Sequence, residues 1–134
     1  IACHCEICQE FNQAEFADIT LFLSKDVKLS SEETVSFKSY QSPPMLKRGK
    51  CIHCNTPAIE RFKTPISPSI TLIPSSLIPV GESLPNLKAH IFCHRKVNEI
   101  NDSLPKIYGF LKSQLYISKA LVSGLLRNKF SMKS

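Results

Sequence analysis

Five of the six cysteines in this chain fall into two tight clusters. The first cluster reads Cys3-His4-Cys5-Glu6-Ile7-Cys8, and the second reads Cys51-Ile52-His53-Cys54. Thiols two or three residues apart can direct their sulfurs at one ion from a single turn of chain, and two such turns supply the ligands of a tetrahedral zinc site. The spacing therefore predicts a metal framework rather than a set of disulfides.

The spacing alone leaves two zinc layouts open. In the first, the two C-x-x-C pairs form one closed site and Cys3 is left over. In the second, Cys3, Cys5 and Cys8 share one ion that keeps a vacant fourth position. The other pair, Cys51 and Cys54, then belongs to a different ion. A closed site stabilises a fold, whereas three protein ligands with a vacancy can bind and activate a small molecule.

The remaining cysteine and the histidines have structural interpretations. His4 and His53 lie inside the clusters, where alternate positions of such turns point away from the metal. Cys93 follows an apolar stretch and is interpreted as a small buried hydrophobe, and His90 as a structural residue of the same strand. With four glycines in the whole chain and no glycine-rich loop, the sequence does not favour nucleotide binding.

Short strands are predicted through the body of the chain. Nine prolines, most of them between residues 43 and 85, argue against long helices there. A short helix is expected within 1–15, a chain break at Pro43-Pro44 and a proline-rich loop at 64–68. The predicted strands cover 16–23, 27–29, 34–40, 46–51, 58–62, 70–73 and 89–92. The body is therefore predicted to be mainly β.

The end of the chain has a different pattern. Residues 110–130 contain no proline, and their apolar side chains recur with a helical period. A helical region is expected to open at 102–105, where Asp or Ser precedes Pro. Residues 106–134 carry six basic and no acidic side chains, which leaves 11 of each in the body, so the net charge of +6 belongs to the tail. We expect a basic amphipathic helix over 109–134 that packs on its own domain or on a second copy.

Composition limits the classes of partner and location. No apolar run approaches the roughly 18 to 20 residues of a membrane span. The balanced charge of the body argues against a nucleic-acid surface there. Clustered thiols fit a reducing compartment, so we expect a cytoplasmic protein. Because the chain opens on Ile1 rather than Met, we also expect that an amino-terminal segment precedes it.

Several stretches together resemble one known family. Residues 2–8 with Phe16-Ala17, and the second cluster followed by Asn55-Thr56-Pro57, are similar to the glutathione-dependent formaldehyde-activating enzyme family, which is shared with centromere protein V. Residues 70–77 resemble its strand ending in a Gly-Ser-Leu-Asp turn. Residues 89–92 resemble its His-Ile-Trp strand, and 102–108 resemble its closing Asp-Gly-Leu-Pro-x-Tyr segment. The resemblance covers roughly residues 1 to 108.

The resemblance implies a fold and a metal layout. The fold implied is a β-tent of folded antiparallel sheets with zinc knuckles over 1–108, followed by the helical tail over 109–134. The layout implied is the second one, in which Cys3, Cys5 and Cys8 hold a catalytic zinc. Cys51 and Cys54 would join an upstream C-x-C pair at a structural zinc. Members often carry Gly where this chain has Gln13 and Asn55.

The resemblance also implies an activity. The family condenses formaldehyde with the glutathione thiol to give S-hydroxymethylglutathione, which makes it a carbon–sulfur lyase. A small-molecule thiol such as glutathione is therefore the expected partner, and the tail helix is the expected route to a homo-oligomer. The alternative is a non-catalytic, zinc-stabilised binding module whose basic tail contacts nucleic acid or another protein.

Overall fold

Seven strands of the chain form one sheet. The computed structural model describes residues 1–42, 45–79 and 86–131. The strands are β1 (Ala2–Cys3), β2 (Ala17–Leu23), β3 (Val35–Ser39), β4 (Leu46–Cys51), β5 (Pro57–Thr64), β6 (Ser67–Pro74) and β7 (His90–Ile91). Their order in the sheet is β3-β4-β5-β6-β2-β1-β7. The prediction of a mainly β fold is confirmed.

Antiparallel pairing connects all neighbours except β1 and β7, which run parallel. The longest strands, β5 and β6, form a hairpin at the centre of the sheet, and β2 pairs with the far edge of β6. In the β4–β5 hairpin, the register places Arg48 opposite Glu60. That cross-strand pair borders the first cysteine cluster.

Two α-helices accompany the sheet in the described part of the chain. Helix α1 (Glu6–Asn12) directly follows β1, and helix α2 (Phe110–Ser131) ends the described chain, as the helical period predicted. The buried Ser113 accepts a hydrogen bond from the Phe92 backbone N–H at 2.9 Å, and Tyr116 and Ile117 pack against the core. The first turns of α2 are thereby docked on the body. No helix among the described residues is long and apolar enough to cross a membrane.

The core lies where β1, β2 and β7 meet α1. Its central cluster of buried side chains consists of Cys3, Cys8, Ala17, Ile19 and Ile91. Burying apolar side chains in one contiguous cluster is the main favourable term in folding. Two members of the first cysteine cluster are thus part of the core itself.

Two predicted elements are wrong. The segment 27–29 is not a strand, because a 3-10 turn over Ser24–Asp26 ends β2 and the Val27 N–H closes that turn. No helix opens at 102–105. There the Pro105 carbonyl accepts a hydrogen bond from the backbone N–H of His90, and the Ile107 N–H donates one to the His90 carbonyl. The segment therefore extends along β7 instead.

The proline-rich loop is shorter than predicted. Strand β5 continues to Thr64 and β6 begins at Ser67, so only Pro65 and Ile66 form the turn. Pro68 is accommodated because β2 pairs with β6 only from Ile70 onward, so one side of the strand is open at Pro68. The predicted break at Pro43-Pro44 and the last tail residues, 132–134, lie outside the described residues.

Candidate metal centre

The first cysteine cluster is shaped by the junction of a strand and a helix. Cys3 ends β1, Cys5 caps α1, and Cys8 lies in the first turn of that helix. The Cys5 sulfur accepts the Cys8 backbone N–H at 3.4 Å, which is the usual way a side chain satisfies a free N–H at a helix start. The Gln9 amide donates to the His4 carbonyl at 2.6 Å and steadies the intervening residue.

This local geometry brings the three sulfurs together. The Sγ atoms of Cys3, Cys5 and Cys8 all lie within 4.8 Å of one another, and all three cysteines are free. Zinc–sulfur bonds of about 2.3 Å in a tetrahedron put sulfurs about 3.8 Å apart, so small adjustments suffice for all three to contact one ion. Cys3 and Cys8 are buried and Cys5 is half-buried. The donor set and the spacing fit a zinc ion.

The three thiols influence one another strongly. Hydrogen bonds to Cys5 and Cys8, together with burial, raise the pKa of Cys3. Hydrogen bonds from Cys3 and Cys8 lower the pKa of Cys5. Ionisation of the cluster beyond one thiolate is therefore resisted by charge repulsion and burial. A bound cation reverses this balance, because metal-ligating thiols lose their protons.

A buried ion pair borders the cluster. The Arg48 Nη1 atom lies 2.8 Å from Glu60 Oε2 and 3.6 Å from Cys8 Sγ. Burial raises the pKa of Glu60, against the opposing effect of Arg48. Sequence analysis missed this pair. The signal available was an Arg and a Glu in adjacent predicted strands, but their register was needed to place them opposite each other.

His4 is directed at another histidine and is not part of the sulfur group. Its Nε2 atom lies 3.0 Å from His90 Nδ1, and His90 Nε2 lies 2.7 Å from Asp102 Oδ2. A cavity of about 170 Å³ opens beside these three residues and is also lined by Phe16 and Asn98. Both rings are buried, so His4 and His90 link residues 3–8, the candidate metal loop, to the segment before α2. Sequence analysis identified His90 as structural but did not find its partners.

The second cysteine cluster forms a separate knuckle between β4 and β5. The Asn55 N–H donates to the Cys51 carbonyl at 2.8 Å, and the Cys54 sulfur lies 2.9 Å from the Thr56 hydroxyl. Cys54 and His53 are exposed. Among the described residues, no group of three or more ligand atoms includes Cys51 or Cys54. The closed layout requires the two C-x-x-C pairs to lie together, and the structure does not bring them together.

The sixth cysteine lies apart from both clusters. Cys93 is 1% exposed and follows β7, in agreement with its interpretation as a small buried hydrophobe. Burial raises the pKa of its thiol, so it stays protonated at neutral pH. It is therefore part of the core.

The comparisons with known proteins give one match. A family model described as "Glutathione-dependent formaldehyde-activating enzyme" matches residues 1–95. No curated protein and no solved structure matches the chain significantly. The matched range contains both cysteine clusters, Arg48, Glu60 and His90. It ends before Asp102 and helix α2.

Proposed function

The chain belongs to the glutathione-dependent formaldehyde-activating enzyme family, and from that premise we propose that it is a zinc-dependent carbon–sulfur lyase. Its substrates would be formaldehyde and a thiol such as glutathione. The observation that carries the proposal is the group of three free thiols, Cys3, Cys5 and Cys8, within 4.8 Å of one another. Three ligands leave a fourth tetrahedral position for a substrate sulfur.

The reaction is an addition across a carbonyl group. The thiolate sulfur attacks the formaldehyde carbon, a carbon–sulfur bond forms, and the carbonyl π pair moves to oxygen. The proton released by the thiol ends on that oxygen, so thiol and aldehyde become a hydroxymethyl thioether with no other reactant. When bound, zinc supplies a cation that keeps a thiol ionised at neutral pH.

The chain's own residues hold and orient the reacting groups. Cys3 and Cys8 are fixed in the core, so two of the three ligand sulfurs have little freedom to move. Cys5 is half-buried and lies on the accessible side of the cluster. Positioning of this kind is the main gain available, since bringing two reactants together converts a bimolecular step into an effectively intramolecular one.

The second knuckle has a separate proposed role. Cys51 and Cys54 are neighbouring thiols on one tight turn, and we assign them to a structural zinc that needs two further ligands besides this pair. Support comes from the turn geometry, in which Asn55 takes a left-handed φ of 57°. This assignment is independent of the first cluster.

Metal content tests the central assignment. The purified protein should retain zinc in a site that Cys3→Ser weakens strongly, because one of three ligands is lost. Cys93→Ser is the matched control, since this buried cysteine lies outside the sulfur group. If Cys3→Ser leaves zinc content and stability unchanged, the site is not the one proposed.

The activity needs its own measurement. Exchange of formaldehyde with glutathione can be followed by NMR line broadening with and without protein, because the addition also proceeds uncatalysed. We expect the zinc-loaded protein to accelerate the exchange and Cys3→Ser to remove the acceleration. A zinc-loaded protein that leaves the exchange rate unchanged would favour the binding-module alternative.

A further inference from the structure

One arginine nitrogen joins a carboxylate to a cluster sulfur. Arg48 Nη1 carries two hydrogens and has two acceptors, Glu60 Oε2 at 2.8 Å and Cys8 Sγ at 3.6 Å. Both side chains of the ion pair are buried, with 7% and 4% exposed. The guanidinium carbon also lies 5.6 Å from the centre of the Phe11 ring, on the helix that carries Cys8. The pair is therefore buried beside helix α1.

Stability alone is a weak reason for such a pair. Removing two charges from water carries a desolvation cost, and apolar replacements of similar volume are often as stable. The location of the pair beside a thiol that is itself 2% exposed is what distinguishes it. A donor that contacts a metal-ligand atom fixes that ligand's orientation and tunes how much charge it gives to the metal.

We propose that Arg48 is a positioning residue that, through its N–H···S contact with Cys8, makes the fourth metal position favour an anionic thiolate over a neutral ligand. The inference rests on the proposed function, because it presumes a metal held by Cys3, Cys5 and Cys8. Three thiolates around a divalent ion already leave a net negative charge, and an incoming thiolate adds to it. A guanidinium donor withdraws charge from Cys8 and lowers this repulsion.

Glu60 acts in two opposing ways. It holds Arg48 in place through the shorter of the two bonds, yet its carboxylate offsets part of the guanidinium charge. Removing both side chains should therefore weaken thiolate binding, while keeping the hydrogen bond without the carboxylate charge should strengthen it. The two changes are predicted to act in opposite directions.

Ligand binding to cobalt-substituted protein measures this preference. The visible absorption of Co²⁺ reports its ligands, 2-mercaptoethanol serves as the thiolate probe, and imidazole serves as the neutral probe. In the double variant Arg48→Met with Glu60→Met, we expect the affinity for 2-mercaptoethanol to fall by about tenfold or more. Imidazole binding should stay within about twofold of the parent protein, because no charge is added.

A second variant keeps the test decisive if the double variant does not fold. Glu60→Gln preserves an oxygen acceptor for Arg48, so we expect the fold to persist and 2-mercaptoethanol to bind more tightly than in the parent. Arg61→Met is the matched control, because Arg61 also pairs with a glutamate and contacts an aromatic ring, but its side chain is 38% exposed. It should change neither affinity.

The outcomes separate the inference from its premise. Equal losses for both probes in the double variant, or unchanged 2-mercaptoethanol binding in Glu60→Gln, would overturn the role of Arg48 while leaving the metal site standing. If Co²⁺ does not bind in a manner that depends on Cys3, the proposed function fails and the inference fails with it.

Discussion

The Nε2 atom of His4 lies 3.0 Å from the Nδ1 atom of His90, in the buried space between the metal loop and β7. His90 uses its other nitrogen to bond Asp102 at 2.7 Å. With both rings neutral, the carboxylate assigns the tautomers: His90 Nε2 donates to Asp102 and His90 Nδ1 accepts from His4 Nε2. His4 Nδ1 is buried and has no partner in the described structure. The metal loop is thus held by a residue far along the chain.

Loss of the central histidine should destabilise the protein. His90→Ala removes both hydrogen bonds and leaves a cavity, so we expect the free energy of unfolding of the metal-free protein to fall by about 2 to 4 kcal/mol. Denaturant unfolding measures it. The control is His53→Ala in the exposed knuckle, which should change the value by less than about 0.5 kcal/mol. A similarly small effect at His90 would contradict the link.

Acid should weaken the same link. Hydrogen bonds from His90 and then Lys106 hold the pKa of Asp102 at about 2, below its ordinary 3.8. A carboxyl whose pKa is lowered by folding contributes stability above its unfolded pKa and loses it as pH falls through the folded one. We therefore expect part of the acid destabilisation between about pH 4 and about pH 2 to disappear in Asp102→Asn. Unfolding curves across this range give the slope of the free energy of unfolding against pH, with exposed Asp26→Asn as the matched control. Parallel slopes in the parent and in Asp102→Asn would refute the contribution of Asp102.

Local spacing explains which features the sequence predicts. The first cysteine group spans six residues, so the strand end and helix cap that follow from its own sequence suffice to gather the sulfurs. The helical recurrence of apolar side chains that predicts α2 also lies within a single segment of the chain. By contrast, the prediction of a strand at 27–29 was wrong. A strand needs a sheet edge to pair with, and alternation over three residues does not supply one.

The rest of the site depends on register. Arg48 meets Glu60 through cross-strand pairing, and the register of these strands shifts between Gly49 and Lys50. An irregularity of this kind changes which residues face each other and is not encoded in the alternation pattern. The contacts among His4, His90 and Asp102 join distant segments through a parallel pairing of β1 with β7. Sequence reasoning placed His90 on its strand but had no means to pair the strands.

Gly49 should not tolerate a side chain. A Cβ atom there would lie 2.5 Å from Val35 Cγ1 and 3.0 Å from the Ile59 carbonyl oxygen. We expect Gly49→Ala to lower the free energy of unfolding by about 1 to 3 kcal/mol, through overpacking between neighbouring strands. Gly124→Ala is the matched change, because a Cβ in α2 meets nothing within 4 Å and should raise helix stability by up to about 1 kcal/mol. Thermal unfolding by circular dichroism compares them; equal effects would show that the close approach is not limiting.

Two residues with a left-handed backbone conformation should respond differently to replacement by glycine. Gln13 ends α1 with a φ of 49°, and Asn55 ends the second knuckle with a φ of 57°. Because a left-handed conformation is strained for Gln and tolerated by Asn, Gln13→Gly should stabilise the protein by about 0.5 to 1 kcal/mol and Asn55→Gly by less. Urea unfolding of the two variants gives the order, and a larger gain at Asn55 would reverse the interpretation.

Helix α2 has two distinct faces. Its docked face presents Ser113, Tyr116 and Ile117 to the body. Apart from Phe110 at its first position, the exposed large apolar side chains of α2 lie within about 60° of one another on the opposite face, at about 100° per residue. They are Leu111, Leu115, Val122 and Leu126. A contiguous exposed apolar stripe of this kind is typical of a protein interface rather than a nucleic-acid surface.

We expect this stripe to pair with a second copy of the chain. Leu111→Gln with Leu115→Gln should shift the protein from dimer to monomer, because two of the four apolar side chains of the stripe are lost while the docked face is retained. Light scattering after size-exclusion chromatography measures the mass. Lys119→Gln is the control, since it removes a helix charge but no apolar side chain, and it should leave the dimer intact. If the parent is monomeric at all concentrations and the helix instead confers salt-sensitive binding to nucleic acid, the basic side chains rather than the stripe carry its function.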